Sequence, residues 1–152
     1  MALTVKVPGR TSLRLEHLAL DLNGTIAARG RVLPGVKKRL VSLSRLLEVT
    51  VLTADTYGLA ARALAGLPVE LVQVKTGREK ARFVSTREGV VAVGNGANDA
   101  GMLAAADLGI AVVGPEGMAG ALATAADVLV LSIDDGLDLL LDPRRLVATL
   151  RL

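Results

Sequence analysis

Asp21 closes the apolar run LALD and is followed by Asn23-Gly24-Thr25, so one carboxylate stands at the carboxyl end of a short hydrophobic segment. Asp and Asn bond their own backbone well, and an Asx-type turn accounts for this stretch by itself. The same carboxylate can also ligate a metal or attack phosphorus as a covalent nucleophile. Thr53 ends VTVLT just before Ala54-Asp55-Thr56. Its hydroxyl can cap the next helix, or join backbone N–H groups at a helix start to seat a phosphate. Thr76-Gly77-Arg78-Glu79 has the spacing of a capping box. A helix beginning at Gly77 would hold Lys80 in its first turn, facing the positive end of the helix dipole, at a cost of ~0.3–1 kcal/mol on a surface. A nearby anion would explain such a lysine; a solvated side chain is the plainer reading, and Lys75, just off the preceding strand, is a rival. The last candidate is VVAVG running into Gly94-Asn95-Gly96-Ala97-Asn98-Asp99. It lacks the third glycine of a dinucleotide fingerprint. Asn95, Asn98 and Asp99 offer oxygen ligands for a hard cation such as Mg²⁺; a turn with an Asn cap is the simpler alternative.

The elements that must position these groups are short and alternate in kind. LTVKV and SLRLE alternate apolar and polar around Pro8-Gly9, which predicts an N-terminal β-hairpin. After it, HLALDL, VTVLT, VELVQV, VVAVG, LGIAVV and DVLVL are mostly continuous apolar runs, as expected of parallel strands covered on both faces. Helical stretches are expected between them. Pro34-Gly35 opens one whose Val36, Leu40, Leu43 and Leu47 share a face. TYGLAARALAGL, residues 76–87, NDAGMLAAAD and PEGMAGALATAA follow. This alternation predicts an α/β three-layer sandwich around a mostly parallel, Rossmann-like sheet, formed by one domain over residues 1–152. Ligands in such sheets sit beyond the carboxyl ends of the strands, where Asp21, Thr53, Lys75 and Asn95 through Asp99 all fall.

Composition narrows the classes. The 152 residues are 51% hydrophobic, yet no run of about 18 uncharged apolar residues exists to span a membrane. The start, MALTVKVPGR, lacks the layout of a signal peptide, and there is no cysteine for a disulfide or thiolate site. A cytoplasmic domain is the expectation. The net charge is +3, but the basic residues are scattered and the aromatics are Tyr57 and Phe83 alone, which argues against a nucleic-acid partner. Asp134, Asp135 and Asp138 follow Ser132 and suit a solvated helix N-terminus. His17, the only histidine, suits packing or a strand edge better than catalysis.

Asp after one strand, Thr after the next, then Lys, then a Gly-rich Asn-Asp segment: this order resembles the haloacid dehalogenase superfamily of phosphohydrolases, across residues 15–131. Within it the chain is similar to the catalytic domain of P-type ATPases, and more narrowly to the small soluble phosphatases that resemble that domain. The resemblance implies a nucleophilic Asp21 and a phosphate grip by Thr53, Ala54, Lys80 and Asn98. It further implies Mg²⁺ near Asp21, Asn23, Asn95 and Asp99. Asn23 stands where phosphatases have a second Asp and ion pumps have Thr; an amide there can neither protonate a leaving group nor deprotonate water. Asn95 is a neutral ligand where a carboxylate is usual. Only 32 positions (53 − 21) separate Asp21 from Thr53, which leaves no room for a nucleotide-binding domain or a cap, only a flap near residues 26–33.

The expected function is therefore a Mg²⁺-dependent phosphohydrolase forming an aspartyl phosphate on Asp21, acting on small phosphorylated substrates with good leaving groups. The alternative is a catalytically weakened module that binds phosphate or holds a phosphoryl group for regulation. An open site also suggests a homo-oligomer, with the Leu-rich C-terminal segment and Arg144, Arg145 and Arg151 as the contact.

Overall fold

The computed structural model describes residues 1–55 and 58–152. A short antiparallel hairpin of β1 (Leu3–Val5) and β2 (Leu13–Leu15) comes first. Pro8-Gly9 forms the expected turn, closed by the Arg10 N–H on the Val7 carbonyl at 3.1 Å, but the paired strands are shorter than their sequence pattern, since residues 6–7 and 11–12 are unpaired. The chain continues through β3 (His17–Asp21), a flap of β4 (Ala27–Ala28) and β5 (Arg31–Val32), α1 (Val36–Leu43), β6 (Glu48–Thr53) and α2 (Leu59–Ala63). It then forms β7 (Glu70–Gln73), α3 (Gly77–Ser85), β8 (Val90–Gly94), a 3₁₀ turn (Ala97–Asp99) and α4 (Ala100–Ala105). β9 (Leu108–Val112), α5 (Leu122–Ala125), β10 (Val128–Val130), α6 (Ile133–Leu141) and α7 (Pro143–Leu150) complete it.

Six strands form one sheet in the order β10-β9-β8-β3-β6-β7, and every pairing in it is parallel. Strand side chains alternate between the two faces, and the sequence uses that alternation unevenly. Leu18, Leu20, Val49, Val51, Val91, Val93, Ile110 and Val112 pack on the side of α1, α6 and α7. The smaller Ala19, Ala92 and Ala111 face the layer of α3, α4 and α5. Small residues on that face let α3 lie close to the sheet, which matters for the lysine it carries. The face of Val36, Leu40, Leu43 and Leu47 is fully buried as expected, although Leu47 lies beyond the end of α1.

Three expectations need correction. PEGMAGALATAA is helical only over α5. Pro115 and two glycines, Gly117 and Gly120, lower its helix propensity, and Gly117 adopts a left-handed φ of 75°. β7 is an edge strand and largely exposed, unlike a doubly covered one. The helix read from TYGLAARALAGL is confined to α2, and its first two residues, Thr56 and Tyr57, lie outside the described residues. Among the described residues no helix is long and apolar enough to cross a membrane.

Candidate functional site

β3 is central, and the strand order reverses about it: the chain builds β6 and β7 on one side, then returns to lay β8 and β9 on the other. Such a switch point leaves a crevice at the carboxyl ends of the strands. A cleft of about 300 Å³ lies there, lined by Asp21, Asn23, Thr53, Ala54, Lys80, Asn95 and Asn98, with Lys75 and Thr76 also on its walls. Seven of the eight candidate residues thus share one cleft. Asp99, the eighth, is fully buried beneath it.

Lys80 reaches the site because α3 starts where its capping pattern predicts. Thr76 Oγ1 accepts from the Glu79 N–H at 3.2 Å. Glu79 does not close back on the cap residue; its carboxylate accepts from the Lys75 N–H at 2.7 Å. One turn in, Lys80 is 4% exposed, and its Nζ donates to Asp21 Oδ1 at 2.7 Å and to Asp99 Oδ1 at 2.8 Å. Lys75 is exposed and makes neither contact.

Asp99 organises the loop after β8. Its Oδ2 accepts from the N–H groups of Asn95 (3.1 Å) and Gly96 (3.0 Å). This fold-back requires Gly94, since a Cβ there would stand 2.6 Å from the Asp99 carboxylate. With Oδ1 on Lys80 and Oδ2 on two amides, Asp99 holds the lysine and the loop from below. On the other side of Asp21, the buried Thr25 hydroxyl lies 3.1 Å from Asp21 Oδ2 and 3.1 Å from Asn95 Oδ1. A hydroxyl has one proton to donate, so two acceptor oxygens converge on it. Thr53 Oγ1 accepts from the Asp55 N–H at 3.2 Å.

The electrostatics follow from one cation shared by two acids. Burial would lower the Lys80 pKa, but the charges and hydrogen bonds of Asp21 and Asp99 outweigh it and hold Lys80 protonated. Asp21 is pushed above the ordinary carboxylate range, first by burial and then by the Asp99 charge; Lys80 and Thr25 offset only part of this. The cluster is one positive charge short. Among the described residues no three of His, Cys, Asp and Glu converge into a metal cage. Mg²⁺ does not demand one, because it keeps several waters and commonly takes one or two carboxylates plus phosphate oxygens. Asp21 and Asn95, which both line the cleft, offer hard oxygen donors of the kind this ion takes, with Asp21 Oδ2 and Asn95 Oδ1 meeting on the Thr25 hydroxyl.

Thr25 carried no signal in the sequence beyond its place in the turn after Asp21. Glu116, which also lines the cleft, sits between glycines in a segment read as helix. Thr25 reaches Asp21 within the turn and Asn95 through tertiary packing, while Glu116 reaches the cleft by tertiary packing alone. Outside it, His17 Nδ1 lies 3.2 Å from Glu48 Oε2. Asp134 and Asp138 are not simply solvated caps, since both face Arg39.

No protein-family model matches the chain. It is similar to the uncharacterised protein MJ0073 of Methanocaldococcus jannaschii, at 48% identity over 62 residues, 41% of this chain and 67% of that protein. It is also similar to the probable cation-transporting ATPase G of Mycobacterium tuberculosis, at 38% identity over 109 residues; these are 68% of this chain but only 14% of the pump. Among solved structures, 3-deoxy-D-manno-octulosonate 8-phosphate phosphatase from Moraxella catarrhalis, in complex with magnesium, phosphate and its sugar, superimposes with a TM-score of 0.71. That match has 15% identity and covers 90% of this chain and 94% of the other. The fold, the order of the motifs and the ATPase likeness all agree with the resemblance to haloacid dehalogenase-like hydrolases, and among the described residues the β4–β5 flap is what stands beside the cleft.

Proposed function

We propose that the protein is a Mg²⁺-dependent phosphohydrolase that acts through an aspartyl phosphate on Asp21 and favours substrates with good leaving groups. The observation that carries this reading is the buried Lys80, ion-paired to Asp21 and Asp99 at the floor of a cleft that also holds Thr53 and Asn95. An Asp21 oxygen attacks phosphorus, the bond to the leaving oxygen breaks, and that oxygen departs with the electron pair. Water then attacks the phosphorus of the aspartyl phosphate, regenerating the carboxylate and releasing inorganic phosphate. Lys80 offsets negative charge on the transferring phosphoryl group, while Thr53, the Ala54 N–H and Asn98 hold its oxygens in line. Mg²⁺, when bound near Asp21, Asn23 and Asn95, reduces the repulsion between carboxylate and phosphate. Asp99 acts through Lys80 and the Asn95 loop. The magnesium and phosphate in the Moraxella phosphatase, a relative in fold, support this assignment.

Incubation with acetyl phosphate and Mg²⁺, followed by an acid quench, should trap a phosphoryl label that hydroxylamine removes. Asp21→Ala should lose both label and turnover; turnover that persists in this variant rules out the covalent mechanism. One observation favours a second reading, a phosphoacceptor that holds its phosphoryl group: Asn23 leaves no acid beside Asp21 to activate water. A label that decays in minutes or longer would favour that module, and rapid decay the phosphatase.

A further inference from the structure

Asn95 is an amide where a carboxylate was expected, and the structure gives it a task that a carboxylate could not perform. Its Nδ2 donates to the Gly117 carbonyl at 3.1 Å, and its own carbonyl accepts from the Ala119 N–H at 2.9 Å. A backbone carbonyl only accepts, so Nδ2 must face Gly117 and Oδ1 must face the Thr25 hydroxyl. An ionised Asp would set two acceptors against each other. These two bonds strap the loop after β9 onto the loop after β8, and Asn95 in turn meets Thr25 of the turn after β3. The packing leaves no slack: a Cβ on Gly114 would stand 2.5 Å from the Gly24 carbonyl oxygen.

This loop carries Glu116 at its tip. A methyl placed on Gly24 would lie 2.6 Å from Asn95 Nδ2 and 2.8 Å from Glu116 Oε2, so amide and carboxylate flank a single point beside the cleft. Glu116 lines that cleft with Asp21, Asn23 and Asn95, and no Lys or Arg among the described residues pairs with it. A carboxylate held at the mouth of a site that is one positive charge short awaits a cation.

We propose that Glu116 is the relocated carboxylate of the metal centre, acting on the ion held by Asp21 and Asn95 through a water of its shell. A water intervenes because Glu116 does not converge with the other acids into a cage. The amide at position 95 and the acid at position 116 are then one device: the first straps down the loop, and the second returns the charge that the first gave up. The inference rests on the metal-dependent reading above.

The test uses Mn²⁺ as probe, titrated into the substrate-free protein and followed by loss of the free-ion EPR signal. Glu116→Gln keeps the side chain's size at an exposed position, and its metal-free melting temperature should match wild type. Its Kd for Mn²⁺ should rise about 10- to 100-fold, the range for outer ligands of metal sites. Glu88→Gln, an exposed acid at the amino end of β8, removes the same charge far from the cleft and should leave Kd unchanged. Equal Kd values for wild type and Glu116→Gln would overturn the inference and leave the phosphohydrolase reading standing, as would equal shifts in the two variants. No Mn²⁺ binding by wild type would overturn both the inference and metal dependence, while the acid-quench label on Asp21 would still judge the nucleophile separately.

Discussion

Asn23 and Asn95 are both amides beside Asp21, and they differ in what surrounds them. Asn95 is buried and bonded through both ends of its amide; Asn23 is exposed at the cleft, its backbone bridged to Ala27 of the flap. What Asn23 lacks is a proton to give. General acid–base assistance is typically worth ~10²–10⁴ in rate, and alkoxide leaving groups need it most. Wild type should therefore hydrolyse p-nitrophenyl phosphate readily and sugar or serine phosphates poorly. Asn23→Asp should raise the rate on alkyl phosphates by more than on aryl ones, measured as kcat at saturating Mg²⁺. Equal wild-type rates on both, with chemistry limiting, would mean that Asn23 is not a missing acid. At this scale the sequence was legible wherever a polar residue interrupts an apolar run, as Asp21 and Thr53 do. It was silent on Thr25 and Glu116, because a turn hydroxyl and a loop glutamate form no local pattern. Thr25 meets Asn95 of the loop after β8 across 70 positions of the chain, and Glu116 reaches the cleft from the loop after β9.

Elements were legible in proportion to how much of their pattern is local. Most of the apolar runs coincide with strands, so the parallel strands stand close to their predicted places. The capping residues Thr76 and Ser132 likewise mark the starts of α3 and α6. What the pattern could not give is how helices on one face of the sheet meet each other. Arg39 of α1 makes a two-pronged bond to Asp138 of α6, Nε to Oδ1 at 2.8 Å and Nη2 to Oδ2 at 3.1 Å. Nη1 also donates to the Gly35 carbonyl at 3.0 Å. A periodic reading sees only acids on a helix face. The hydrogen bond from Arg39, more than any other cause, holds the Asp138 carboxyl below its ordinary pKa. A depressed folded-state value means the pair contributes fully above the unfolded value of about 3.9 and loses its contribution as pH falls through the folded one. Asp138→Asn should cost about 1 kcal/mol at neutral pH, the charge-assisted value discounted for partial exposure. The gap in melting temperature between variant and wild type should close below about pH 4. A gap that stays constant down to acid pH would show that the ionised pair is not what joins the two helices.

For the molecule as a whole, the sheet's two faces are well packed and its site is not electrostatically at rest. The fold brings Asp21 and Asp99 under one lysine because β3 and β8 are neighbours and α3 lies over small residues. None of this adjacency is visible in one dimension; only the rule that strand ends gather at a switch point foretold it. Two buried carboxylates sharing one cation favour taking up another positive charge. Asp21, whose folded pKa is raised, therefore weakens the metal-free fold as pH rises through that value. Removing its charge should act in the opposite direction to most active-site damage: metal-free Asp21→Asn should melt at or above the wild-type temperature near neutral pH, while being inactive. Lys80 keeps Asp99 as its partner in that variant, so no buried charge is orphaned. Mg²⁺ completes the comparison, since a ligand of the folded state alone stabilises by about 2.7 kcal/mol at a hundred times its Kd. For a domain of this size that is a rise of roughly 5–10 °C in melting temperature. Wild type should show that rise and Asp21→Asn should not, so the two curves, separated or level without metal, should cross as Mg²⁺ is added. A variant that melts lower than wild type in its absence and still responds to Mg²⁺ would mean that the charge shortage, and with it the metal, lies somewhere other than Asp21.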